Sequence, residues 1–109
     1  MKQVIVIATT TCPNEKTANS IVGSLLTEDL IACGQVEGPL ETNYQWKGKV
    51  LREKEWRVTI KFSPKKRKVV ETRFIELHPY EVPQWVCWEA SSSKLYCQWV
   101  HDPKQVNED

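Results

Sequence analysis

His78, Glu81 and Cys33 are the side chains whose types and spacing speak most directly of chemistry. A neutral imidazole suits copper, nickel and zinc, and copper heads the divalent affinity order for such ligands. Glu81 follows His78 by three residues, beyond Pro79, where a turn would bring its carboxylate near. One His and one Glu do not make a tight site, because zinc centres use three or four protein ligands. Further donors would have to come from symmetry-related copies, or from Cys33 of a neighbouring chain. Plainer alternatives stand beside these. His78 closes a helix, where an imidazole can hydrogen-bond the backbone, and Cys33 lies in an apolar stretch, where a free thiol packs as a small hydrophobe.

A second group, Tyr44, Trp46, Glu53, Glu55 and Lys61 with Tyr80, is polar or amphipathic and able to line a cleft between subunits. The same residues could equally satisfy one another at an oligomer seam. Of the other cysteines, Cys12 precedes a helix start, where the dipole would lower a thiol pKa; Cys87 and Cys97 read as packing residues. No two cysteines stand in a CxxC pair, which excludes a zinc ribbon or dithiol motif. His101 is assigned no role. No nucleophile–base pair, phosphate-cradling glycine loop or pair of catalytic carboxylates can be assembled, so the expectation is a protein that is not an enzyme.

Placing these groups requires a scaffold. Gln3–Ala8 is a continuous β-branched run, the pattern of a strand covered on both faces. A loop follows through Asn14, which can cap a helix carrying Ala18, Ile21, Val22, Leu25 and Leu26 as its apolar stripe. Gly23 inside that helix suggests close packing on the sheet. Leu30–Val36 and Leu40–Trp46 read as strand, interrupted or bent at Gly34, Gly38 and Pro39. Lys47-Gly48-Lys49 is a turn into Val50–Phe62, so the two runs form a hairpin. Ser63 and Pro64 open a second helix with Val70, Phe74 and Leu77 buried, and His78-Pro79 ends it. Pro83–Ala90 is a fourth strand, and a short helix carries Leu95, Tyr96, Trp99 and Val100. The order is βαββαβ plus a short C-terminal helix: a ferredoxin-like, α+β antiparallel sheet with helices on one face. One domain over residues 1–102 and a flexible tail over 103–109 are expected. The second sheet face, bearing Trp and Tyr without helices, implies a partner copy and a closed homo-oligomer.

The chain has 109 residues, 40% apolar and 27% charged, with a net charge of +1. A near-neutral balance gives no long-range field for nucleic acid or anionic lipid, and no apolar run is long enough for a membrane helix. Met1-Lys2 leads straight into the first strand without a signal-peptide pattern, so a cytoplasmic protein is expected. Five tryptophans are the unusual count.

At Leu77-His78-Pro79-Tyr80-Glu81-Val82-Pro83 the sequence resembles the CutA divalent-ion tolerance family. The likeness extends from residue 4 to about 101 through Thr11-Cys12-Pro13-Asn14-Glu15, Ile31-Ala32-Cys33, Tyr44-Gln45-Trp46-Lys47-Gly48, Ile60-Lys61 and Tyr96-Cys97-Gln98-Trp99-Val100. The resemblance implies a homotrimer whose sheets pack around a threefold axis, with long hairpins reaching onto neighbours. It also implies tolerance of divalent metals and weak cation binding, copper before zinc or cobalt. Some bacterial members carry a copper-ligating cysteine at the end of the first strand, where this chain has Thr10. The expected function is a trimeric, non-catalytic divalent-cation tolerance protein. Its rival is a sensor trimer resembling the PII signalling proteins, with a small molecule held between subunits near Lys61 and Tyr44. RNA binding and acylphosphatase-type activity are set aside: the RNP1 pattern is missing, and residues 9–14 contain no arginine.

Overall fold

The computed structural model describes residues 3–105. Its elements run β1 (Val4–Cys12), α1 (Glu15–Thr27), β2 (Cys33–Trp46), β3 (Lys49–Phe62), α2 (Arg67–Leu77), β4 (Val86–Ser91) and α3 (Lys94–His101). The strands form one sheet in the order β2-β3-β1-β4, every neighbouring pair antiparallel. This is the ferredoxin-like arrangement expected from the element order. Among the described residues no helix is long and apolar enough to cross a membrane.

The caps follow the sequence. Asn14 accepts from the Thr17 amide at 2.7 Å, and Ser93 accepts from the Tyr96 amide at 3.3 Å. Ser63 caps the next element, but Pro64–Lys66 wind as a 3-10 turn before α2 begins at Arg67. The Gly48 turn is a two-residue loop with Lys47 at φ 52° and Gly48 at φ 78°. Both central residues are left-handed, the twist that suits an antiparallel ribbon.

Three elements depart from expectation. β1 continues to Cys12, so Thr9-Thr10-Thr11 are strand and not loop. The segments read as Leu30–Val36 and Leu40–Trp46 are one strand with a register shift between Glu37 and Leu40. The fourth strand starts at Val86, with residues 80–85 as an irregular segment. Within the expected tail, Pro103–Gln105 form a 3-10 turn, and residues 106–109 lie outside the described residues.

Alternation along β1 sorts the core into two layers. Val6, Ala8 and Cys12 face α1 and α2, meeting Val58, Ile60, Phe62, Ile21, Leu25, Val70 and Phe74. Trp85 packs on this layer, its ring 4.9 Å from that of Phe74. Ile5 points the other way and is buried by Cys97 and Val100 of α3. The second face is therefore not free of helices. α3 covers one end of it, with His101 Nε2 donating to the Val4 carbonyl at 2.9 Å and Nδ1 facing the Ser63 hydroxyl at 3.3 Å. Val86 (51% exposed) and Trp88 (47%) remain open there.

The tryptophans do not share one surface. Trp56 and Trp85 belong to the helix-covered layer, Trp99 is carried by α3 and Trp46 ends β2, leaving Trp88 on the open face. β1 pairs with β3 only from Trp56 onward, so residues 40–46 and 49–55 form a two-stranded ribbon beyond the third strand. The molecule is accordingly elongated, at 51 × 25 × 22 Å.

Candidate functional site

Residues 78–85 leave the end of α2 and wrap around the end of β1, carrying His78 to the buried side and Tyr80 to the ribbon. The His78 amide completes the helix by donating to the Phe74 carbonyl at 3.0 Å. Its ring is buried against Phe74 and Tyr80, with centroids at 5.3 and 4.8 Å. Nε2 lies 3.0 Å from the Thr11 carbonyl, which can only accept, so that nitrogen carries the proton. The Thr10 hydroxyl is 3.2 Å from the same nitrogen. Nδ1 accepts the Tyr80 amide at 3.2 Å. Burial holds the imidazole below its ordinary pKa, opposed by the Thr11 hydrogen bond and the Glu55 charge. The ring is a neutral strap with both nitrogens in use.

Cys12 Sγ lies 3.9 Å from His78 Nε2, superficially a thiol–imidazole pair. Burial first, and the Glu55 charge second, push the thiol up to about 11. The expectation of an acidified Cys12 is thus corrected: the side chain faces the core, and loss of solvent outweighs the helix dipole.

Above Tyr80 the ribbon curls over a cavity of about 300 Å³, lined by Thr11, Thr42, Tyr44, Trp46, Glu55, Tyr80, Glu81, Val82 and Gln84. Cross-strand partners share a face, which explains this lining. The Leu40/Glu55, Thr42/Glu53, Tyr44/Leu51 and Trp46/Lys49 rungs point one way, and Glu41/Lys54, Asn43/Arg52 and Gln45/Val50 the other. The second set is solvent-exposed throughout. Glu55 is 5% exposed and accepts the Tyr80 hydroxyl at 2.6 Å. Burial chiefly, then Glu55, drives the Tyr80 phenol well above its ordinary range. The Tyr44 hydroxyl donates to Glu53, and that bond raises its phenol as well.

Of the expected cleft residues, Tyr44, Trp46, Glu55 and Tyr80 come together, with Glu53 beside Tyr44. Lys61 does not join them. It sits at the far end of β3, its ammonium 5.7 Å from the Tyr96 ring centre. The expected metal set is also divided within one chain. Glu81 reaches the cavity, His78 spends both nitrogens on the protein, and Cys33 pairs opposite Lys61. That places Cys33 on the order of 15 Å of strand away from the Cys12–Trp56 rung beside His78. Among the described residues no group of three or more His, Cys, Asp or Glu is placed to hold a metal ion. Thr11, Thr42, Val82 and Gln84 were not among the expected site residues. Only the period-two alternation through Tyr44 and Trp46 could have pointed to Thr42.

Fold and site together define a small ferredoxin-like chain whose long ribbon folds over a tyrosine–glutamate cavity. The family described as CutA1 divalent ion tolerance protein matches residues 6–103, and the chain belongs to that family. The "Divalent-cation tolerance protein CutA" of Thermus thermophilus is 30% identical over 103 residues, spanning 94% of this chain and 97% of that one. The Pyrococcus horikoshii protein of the same name is 35% identical over 97 residues, 88% of this chain and 94% of that one. Human "Protein CutA" is 31% identical over 99 residues, which is 90% of this chain but 54% of the human one. Among solved structures, CutA1 of Shewanella sp. SIB1 superimposes with a TM-score of 0.85 at 29% identity, covering 96% of this chain and 98% of that one.

Proposed function

We propose that this CutA-family chain works as a cytoplasmic, non-catalytic homotrimer that binds a copper-type divalent cation weakly in the service of metal tolerance. The observation that carries the assembly is the ribbon of residues 40–55. Among the described residues it extends past the third strand with no strand paired on either edge, and an isolated two-stranded ribbon is marginally stable. The open face with Val86 and Trp88 offers apolar cover for a neighbour's ribbon. The threefold count comes from the family resemblance. Since His78 is engaged, Glu55 and Glu81 are the donors left facing an open cavity. Copper tops the divalent order on oxygen as on nitrogen, ahead of zinc and cobalt, and so incomplete a donor set gives weak binding. The raised Cys12 thiol argues only against a Cys12–His78 nucleophile pair.

The test is paired. Sedimentation should return about three times the 12.7 kDa chain mass. Copper calorimetry should show weak heats that fall in Glu81→Gln and not in His78→Gln. A single-chain mass overturns the assembly, and equal heats for wild type and Glu81→Gln overturn the cation assignment. A second reading, a PII-like sensor of a small molecule, is favoured by the cavity, which is large enough for a small ligand.

A further inference from the structure

We propose that the cavity under the ribbon binds a small organic ammonium cation, its charge against Glu55 and Glu81 and its alkyl groups against the rings of Tyr44, Trp46 and Tyr80. The inference deepens the small-molecule reading above and names its ligand class. Three aromatic side chains converge with two carboxylates on one concave surface, and among the described residues no Lys or Arg lines it. The face of an aromatic ring is negative and attracts ammonium groups, most strongly once they shed water. Trp46 already shows that capacity: the Lys47 ammonium stands 5.7 Å from its ring centre, and Lys47 is not part of the cavity lining.

Glu55 adds the stronger evidence. Its side chain lies in the cavity wall with one oxygen on the Tyr80 hydroxyl, and among the described residues it makes no ion pair. A buried carboxylate without a counter-charge is costly, and a bound cation would supply the missing charge. Lys61, expected beside Tyr44 in the ligand cleft, lies at the other end of β3 and brings no positive charge to the cavity.

Calorimetry in EDTA with tetramethylammonium chloride tests the proposal, with sodium chloride and the neutral near-isostere tert-butanol as comparisons. Saturable heat is expected for tetramethylammonium alone. Glu55→Gln and Trp46→Leu should each weaken it about tenfold or more, the scale of losing a carboxylate or ring contact. Glu41→Gln, on the outer face of the ribbon, should leave it unchanged. Circular dichroism establishes that each variant is folded, and Glu81→Gln, an exposed position, gives a milder second loss. No saturable heat, an equal response to tert-butanol, or equal weakening by Glu41→Gln overturns the proposal. The residues that carry the proposal lie within one chain, so a protein of single-chain mass that still binds tetramethylammonium would refute the trimer while leaving this site. Copper binding without tetramethylammonium binding would refute this site while leaving the metal reading.

Discussion

His78 takes part in the fold through its neutral form, and that has a consequence for pH. Its folded pKa lies below the ordinary value near 6.5 because the ring is buried. When the pH falls from about 7 through that range, the unfolded chain binds a proton that the folded chain resists. Stability contributed by the neutral ring is therefore present above the ordinary pKa and is lost as the pH drops toward the depressed one. Denaturant melts at pH 7 and pH 5 should show that decline, and His78→Gln should flatten it. Glutamine would cost about 1–3 kcal/mol at neutral pH through the Thr11 and Tyr80 hydrogen bonds. An unchanged slope in the variant would assign the titration elsewhere. Cys12 gives the complementary test at alkaline pH. With its thiol near 11, it should resist iodoacetamide at pH 8 in the native state and react on unfolding, as read by peptide mass mapping. Rapid native labelling would contradict its burial. The sequence indicated that Cys12 stood near a helix start, but not which way the side chain faced, and facing decided the sign of the shift.

Among the elements, two glycines exchange the roles that the sequence suggests for them. Gly23 reads as a close-packing position in α1, yet a Cβ there would meet nothing within 4 Å. Gly34 on β2 is the close approach, since its Cβ would stand 2.5 Å from Val22 Cγ1 of α1. Gly23→Ala should then stabilise the protein by about 1 kcal/mol through helix propensity. Gly34→Ala should destabilise it by about 1–3 kcal/mol through overpacking. Thermal melts of the pair that moved in the same direction would refute this account of the helix–sheet contact. The strands and helices were legible where apolar periodicity or a cap marked them, as at Asn14, Ser63 and the Gly48 turn. They were not legible at Thr9-Thr10-Thr11, where polar side chains suggested a loop while the backbone pairs with β3 on one edge and at Thr9 with β4 on the other. The unbroken run Val4–Ala8 did imply cover on both faces. Identifying α3 as that cover needed the contact of Ile5 with Cys97 and Val100, a separation that no local pattern encodes.

At the scale of the whole molecule, the cavity was half legible for a similar reason. Tyr44, Trp46, Glu55 and Tyr80 share a strand period or follow a helix end, but Lys61 was grouped with them although strand register carries it to the far end of the sheet. Register also shows how assembly can be separated from folding. Thr42 faces Glu53 across the ribbon, four rungs from the Trp46/Lys49 pair that flanks the native turn. That is an even number, so the pair has the same place in the antiparallel hydrogen-bond alternation. Replacing residues 43–52 with Asn-Gly should close there in the same two-residue turn. The shortened chain keeps every β1–β3 and β1–β4 rung and the layer around Phe62 and Phe74, and should stay folded by circular dichroism. It lacks Tyr44, Trp46 and the overhang that is proposed to reach a neighbour, so its sedimenting mass should fall to that of one chain. A shortened protein that still sediments as three chains would mean that the Val86–Trp88 face joins subunits without the ribbon, and the proposed packing would be wrong.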